Sequence, residues 1–434
     1  MNELDSQQKA TTTARDLLKI RDFRLLWLGQ IVSNFGDAVT HLTLVLFINR
    51  VTDGDAQAIA WLLIALALPT AVLGLVAGVF VDRWNRKQVM IVSDGLRAVL
   101  TLGFIVAATS EQLWLIYLLA FCHATVGAFF APARSAVIPR VVPKEGLLAA
   151  NSLSQMSVVF FRVLGTAVAG ILVGTLDTFT TAFIIDAATF VMSALLIAQL
   201  NVKTQTETAG INTPVTISHI FTQLRDGLSL IARSRILIGV MMAGGVAMLG
   251  IGALNVLLAP MVVNDLGFPE TWFGAIEAAQ VAAMILSGAF VTLLAAKFKP
   301  TSLVSSGLFL TGLIVLPMAF VNHIWQLFPI LFMLGLLATP LNAGVATLVQ
   351  TAVSNEILGR VSSALNAVIQ TASLISMFFA GALAALVGVR NVFVISGIIV
   401  TLSGIVAVRI FKGQYSVISD QSSVISEAPT EIVA

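Results

Sequence analysis

Twelve apolar runs, each long enough to cross a bilayer as a helix, dominate the 434-residue chain. In windows of about 19 residues they fall near 25–48, 58–80, 89–108, 112–132, 152–174, 178–199, 236–262, 271–295, 301–320, 324–348, 366–387 and 391–409. A helix needs about 20 apolar residues to span hydrocarbon, whereas barrel strands read as alternating segments of about 10. Hydrophobic residues make up 58% of the chain and charged residues 11%, with a mean hydropathy of +0.96. A soluble domain carries about 25% charged residues, and no soluble core hides this much apolar surface. The expected fold class is an all-α membrane protein. A single cysteine, Cys122, excludes a disulfide framework and a cysteine metal cluster.

Residues 1–24 are polar, and the first apolar run follows Lys19, Arg21 and Arg24. That run is too long for a signal-peptide core and lacks a small-residue cleavage site, so it reads as a permanent span. Of the 24 Lys and Arg, twenty fall on segments sharing one side with the N-terminus, and only Arg50 and Arg390 lie opposite. The other two, Arg97 and Arg162, sit inside spans. This asymmetry orients both termini to the cytoplasm and supports an even number of spans. A multi-pass protein of a bacterial plasma (inner) membrane is expected.

The chain divides into a cytoplasmic segment 1–24, a six-span half 25–199, a linker 200–235, a second six-span half 236–409 and a tail 410–434 expected to be disordered. Lys203 to Thr216 is Thr-rich and reads as flexible. Apolar residues at helical spacing from Ile217 to Ile231 predict an amphipathic helix lying on the membrane surface. The halves repeat weakly: Ala150-Asn151-x-x-x-Gln155 after the fourth span answers Leu365-Asn366-x-x-x-Gln370 after the tenth. Two parallel six-helix repeats with a central cavity are therefore expected.

Ionisable groups inside spans are costly and mark partners or pathways. Asn34, Asp37 and His41 recur at i, i+3 and i+7, on one face of the first span. They are candidate contacts for a proton and a polar substrate group, against the alternative of an interhelical hydrogen-bond network. Asp94 and Arg97, at i and i+3 in the third span, read as a pair joined to a gate network. Arg162 in the fifth span and Asp186 in the sixth are expected to pair, because an unpaired buried Arg is expensive. Glu277 with Gln280 in the eighth span, His123 in the fourth, Asn255 in the seventh and Asn342 in the tenth complete the candidate lining.

Several chemistries are excluded. No Gly-x-x-x-x-Gly-Lys-Ser/Thr loop is present for ATP, and the four His are scattered rather than clustered for a metal. Basic residues follow the loops of one side, which accounts for them without nucleic acid. Neither an enzyme nor a cofactor is expected.

Between the second and third runs lies Gly78-Val79-Phe80-Val81-Asp82-Arg83-Trp84-Asn85-Arg86-Lys87, with four charges in ten residues. Such a cluster must form a tight loop at the membrane surface. Its pattern at Gly78, Asp82, Arg83, Arg86 and Lys87 resembles the first signature of the major facilitator superfamily. Asn85 stands where that family has Gly, and Asn tolerates a left-handed backbone there. Ser93-Asp94-Gly95-x-Arg97-Ala98, Phe130-Ala131-Pro132-Ala133-Arg134, Ala149-Ala150-Asn151-Ser152-Leu153 and Asp186-Ala187-x-x-Phe190 resemble its drug and macrolide exporters and its enterobactin-type siderophore exporters. The segment Gly165 to Gly174 keeps the glycines of the exporters' fifth-span signature without its Pro.

The resemblance implies twelve helices in two six-helix halves around a central cavity, working as a monomer by alternating access. It implies export of small amphipathic molecules, drug- or macrolide-type, driven by the proton gradient. A siderophore or metabolite exporter and a lipid or lysolipid flippase are the alternatives. Asp82, Arg83, Arg86 and Lys87 would form a cytoplasmic gate with Asp94 and Arg97, Asp82 capping a helix N-terminus of the other half.

Overall fold

A computed structural model of the protein describes residues 14–176, 178–201 and 217–426. Among them all regular structure is helical, and twelve helices are long and apolar enough to cross a membrane. A short α1 (Ala14–Lys19) precedes six spans: α2 (Arg21–Val51), α3 (Ala56–Arg83), α4 (Arg86–Thr109), α5 (Leu113–Val141), α6 (Leu147–Leu176) and α7 (Phe179–Ala198). The linker helix α8 (Ile217–Arg233) leads to α9 (Arg235–Ala259), α10 (Trp272–Lys297), α11 (Pro300–Val315), α12 (Leu327–Ala352), α13 (Asn355–Val387) and α14 (Val389–Ser426).

Several helices overrun their apolar windows. The largest excess at a helix start is in α13, which begins at Asn355 rather than near 366. Its first turns are amphipathic, and they bury Val361, Ala364 and Leu365 against protein rather than lipid, so an averaged hydropathy underrates them. Gly388, at φ 84° and ψ 154°, ends α13 in an extended positive-φ conformation that glycine adopts without a Cβ penalty.

The chain forms two compact units, one of residues 1–220 with 258–278 and the other of 221–257 with 279–434. The border is therefore not the linker alone: the end of the seventh span and the first turns of α10 belong with the first six spans. Two features place them there. Pro260 opens a π-helical turn over Pro260–Asp265, which breaks the α-helical ladder and re-aims Asn264. Asn264 then accepts a 2.8 Å hydrogen bond from Asn49 of α2. Gly274 of α10 also packs against α6, where a Cβ would lie 2.4 Å from the Ala167 Cα.

In the first unit one core cluster gathers Leu17 and Phe23 with Val81, Met90, Val137 and Leu200. In the second, Leu237 and Val240 of α9 meet Leu308, Leu348, Val361 and Phe411. The amphipathic helix exists as expected, and its second half packs on protein. Ile231 is fully buried, Leu224 and Leu230 pack on the second core, and Gly227 sits against α13. A Cβ on Gly227 would come within 2.5 Å of the Arg360 carbonyl. A protein groove satisfies an apolar stripe as well as lipid does, and periodicity does not tell the two apart. The segment 202–216, read as flexible, lies outside the described residues.

The helix of the last span, α14, is described as far as Ser426.

Candidate functional site

Within the first unit, α2, α4 and α7 bring a cluster of charges together inside the spans. Arg97 of α4 is 8% exposed and donates from Nη2 to Oδ1 of Asp37 on α2. Its Nη1 stands 3.8 Å from Oδ1 of Asp94, one turn back on the same helix and fully buried. The guanidinium also lies over the Phe190 ring of α7, 4.1 Å from its centroid. Cation–π contact in a desolvated setting contributes about 2 kcal/mol. On α5, Gly127 borders the guanidinium, at a distance where a Cβ would make ordinary van der Waals contact with it, 3.6 Å from Arg97 Nε.

Asp186 of α7 is fully buried and joins the same cluster through hydroxyls. Its carboxylate accepts from Thr101 Oγ1 at 3.4 Å and from Thr189 Oγ1 at 3.2 Å. Gly36, beside Asp37, allows this approach: a Cβ on it would fall 2.2 Å from Asp186 Oδ1 and 2.0 Å from Thr189 Oγ1. Two carboxylates thus share one guanidinium, and a third, Asp186, is held beside them by hydroxyls. Asp37 is the only one of them with appreciable exposure, its side chain 34% open, whereas Asp94 is closed off.

His123 of α5 is 7% exposed and sits in an aromatic setting, edge-on to Phe190 at 5.5 Å and tilted against Phe104 at 6.2 Å between ring centroids. Its Nε2 has no hydrogen-bond partner among the described residues. It borders the cluster through Phe190, the ring that also carries Arg97. On α2, Asn34 is half-buried with its amide nitrogen unpartnered, and His41 is exposed.

Arg162 does not pair with Asp186. Its Nε stands 3.5 Å from Oε1 of Glu277, on the turns of α10 that belong to the first unit. Pairing by adjacency of the fifth and sixth spans failed because a sequence does not show that α10 begins against α6. Arg97 likewise engages Asp37 in the spans rather than a surface loop. Asn255, exposed on α9, and Gln280, half-buried on α10, belong to the second unit and join none of these contacts; Asn342 on α12 is exposed.

The charged loop is tighter than its spacing implied. Helix α3 runs to Arg83, and α4 restarts at Arg86. Asn85 is not left-handed; at φ −67° and ψ 106° it is the N-cap of α4, accepting from the backbone of Lys87 and Gln88. An amide oxygen satisfies two of the helix's orphan donors, which a glycine leaves to water. Lys87 Nζ donates to the Leu200 carbonyl at 2.8 Å, tying the loop to the end of α7. Gly78 lies within α3, Arg83 is exposed and Arg86 half-buried, and the side chain of Asp82 lies outside those described.

Sequence reasoning missed Gly36, Thr101 and Thr189, and it marked Phe190 only as part of an exporter-like motif, not as a partner of Arg97. One signal was available: Asp94, Arg97 and Thr101 recur at i, i+3 and i+7, the same spacing that singled out Asn34, Asp37 and His41.

A family model described as transmembrane secretion effector matches residues 12–430. The MFS-type transporter YkuC of Bacillus subtilis is 25% identical over 80% of this chain and 82% of its own length. Macrolide efflux protein A of Streptococcus pyogenes is 23% identical over 88% of this chain and 94% of its own. Two solved structures share the fold. A bacterial homologue of the iron transporter ferroportin in an inward-facing state has a TM-score of 0.71 at 17% identity, covering 91% of this chain and 99% of that one. The nucleoside transporter NupG has a TM-score of 0.76 at 12% identity, covering 90% and 99%. With twelve membrane-spanning helices and a family match over nearly its whole length, the chain belongs to the transmembrane secretion effector family of major facilitator transporters.

Proposed function

We propose that this transporter exports small amphipathic molecules in exchange for entering protons, by alternating access in a bacterial inner membrane with both termini in the cytoplasm. The observation that carries this reading is Arg97 held between Asp37 and Asp94 within the membrane-spanning helices. Asp37 is the carboxylate open to an entering proton. Protonation removes its negative charge and with it the charge-assisted bond to Arg97. The guanidinium then has a second carboxylate in Asp94, already within ion-pair distance. Arg97 is thus a lever with two resting places, one for each protonation state of Asp37. A polar or cationic group of the substrate, placed by Asn34 and His41, competes for the same carboxylate, and that competition couples the two fluxes.

A macrolide efflux protein among the relatives supports an efflux role and an amphipathic cargo. The excess of positive charge on one side of the spans supports the orientation. The loop of Asp82, Arg83, Arg86 and Lys87, fixed by the Asn85 cap and the Lys87–Leu200 bond, acts as the cytoplasmic gate.

Everted vesicles test the coupling. Adding an amphipathic drug should dissipate a preset pH gradient in vesicles holding the wild type, and Asp37→Asn should reduce the response to that of empty vesicles. A response of wild-type size in Asp37→Asn would remove Asp37 from the mechanism. No response to any drug of a broad panel in wild-type vesicles would sink the antiport reading.

A further inference from the structure

A groove of about 650 Å³ lies between the start of α11 and the end of the last span in α14, wholly within the second unit. Farther along, the two helices pack closely on glycines. A Cβ on Gly312 would come within 2.2 Å of the Thr401 nitrogen, and one on Gly404 within 2.4 Å of the Phe309 nitrogen. Toward Pro300 and Lys412 no such pair draws them together, and the groove opens there.

Its walls combine three chemistries. Ile405 and Val408 present apolar surface, each 37% exposed. Arg409 and Lys412 are exposed cations with no side-chain partner among the described residues, and no carboxylate lines the groove. Helix α11 adds hydroxyls. Ser305 donates to the Thr301 carbonyl at 2.7 Å and Ser306 to the Ser302 carbonyl. With their hydrogens engaged on the backbone, these hydroxyls offer oxygen lone pairs to a ligand, so they suit a donor.

We propose that this groove binds an anionic glycerophospholipid of the phosphatidylglycerol type. Its phosphate sits between Arg409 and Lys412, the former able to bind two phosphate oxygens at once. The headgroup glycerol donates hydroxyl hydrogens to the Ser305 and Ser306 oxygens, and the acyl chains run along Ile405 and Val408. A choline headgroup fits poorly, because it sets a cation against two cations and carries no hydroxyl donor. The Arg and Lys stems lie along the apolar wall while their heads reach the interface. By the charge asymmetry of the loops, this end of the spans faces the cytoplasmic leaflet, where anionic lipids attract basic side chains.

Native mass spectrometry of the full-length protein in detergent tests the site, with phosphatidylglycerol, phosphatidylcholine and glycerol 3-phosphate as probes. Phosphatidylglycerol adducts should survive collision energies that strip phosphatidylcholine. The double substitution Arg409→Gln/Lys412→Gln should lower bound phosphatidylglycerol roughly tenfold, the scale of one strong contact. Ser306→Trp fills the groove without removing charge and should do the same, so the test does not depend on the double variant folding. Arg140→Gln/Lys144→Gln removes equal charge from the first unit and should leave binding unchanged. Equal retention of the two lipids, or an equal loss in the Arg140/Lys144 variant, would reduce the groove to a generally basic surface and overturn the proposal. Displacement of the lipid by glycerol 3-phosphate would assign the site to soluble phosphate esters and overturn it as well.

Discussion

Arg97 is the residue on which the charge cluster depends. A buried guanidinium with one carboxylate removed is left partly uncompensated, and breaking such a pair costs about 3 kcal/mol or more. The cost of losing Asp37 falls at the low end, because its side chain is a third open and Asp94 stays within 3.8 Å of Arg97. Losing Arg97 costs more, since Asp37, Asp94 and Asp186 then face one another without a cation. Thermal unfolding in detergent should therefore rank Arg97→Gln below Asp37→Asn, and the double variant should lose less than the sum of the two. A coupling of about 1 kcal/mol or more is expected for groups in direct contact; strictly additive losses would mean the pair is not energetically linked. At this scale the sequence was informative about membership and poor about partners. The i, i+3, i+7 spacing on α2 and α4 marked the polar faces, but which face met which depended on helix packing.

At the scale of the helix, Asn85 shows how a signature position is filled by a different device. A left-handed turn was expected where the family has glycine, and an N-cap is found. The two solutions differ energetically. Asn85→Ala should destabilise α4 by about 1 kcal/mol, whereas Asn85→Gly should cost only a few tenths. Melting curves of the two variants in the same detergent separate these outcomes, and a larger loss for Gly would mean that the cap bonds are not what holds the turn. The linker helix α8 makes a related point. Its amphipathic period was legible, but its occupant was not, because Gly227 and the α13 carbonyl of Arg360 meet only after the chain has folded.

At the scale of the molecule, the segment 258–278 ties a stretch from the second half of the sequence to the first six spans. The ties are the Asn49–Asn264 hydrogen bond, the Arg50–Glu270 ion pair at 2.8 Å, the Arg162–Glu277 pair at 3.5 Å and the close contact of Gly274 with Ala167. Alternating access, as proposed, requires these contacts to open once per cycle. Gly274→Leu should prevent the closed arrangement by steric overlap with α6. With Glu270→Cys as reporter, an impermeant maleimide added to whole cells should label the Gly274→Leu variant several times faster than its Gly274 parent. Equal rates would show that this contact does not govern access from outside.

The sequence by itself determined the membrane environment, the number of helices, the family and the identity of the charges inside the spans. These follow from local quantities: runs of hydropathy, side-chain spacing along one helix and short motifs. Tertiary structure decided the partners. Arg97 bonds Asp37 on another helix, Arg162 bonds Glu277 rather than Asp186, the second half of α8 packs against α13, and residues 258–278 join the first six spans. Close approach of neighbouring helices, which glycines at 36, 227 and 274 allow, sets these partners, and no pattern along a single segment encodes the helix that will lie beside it.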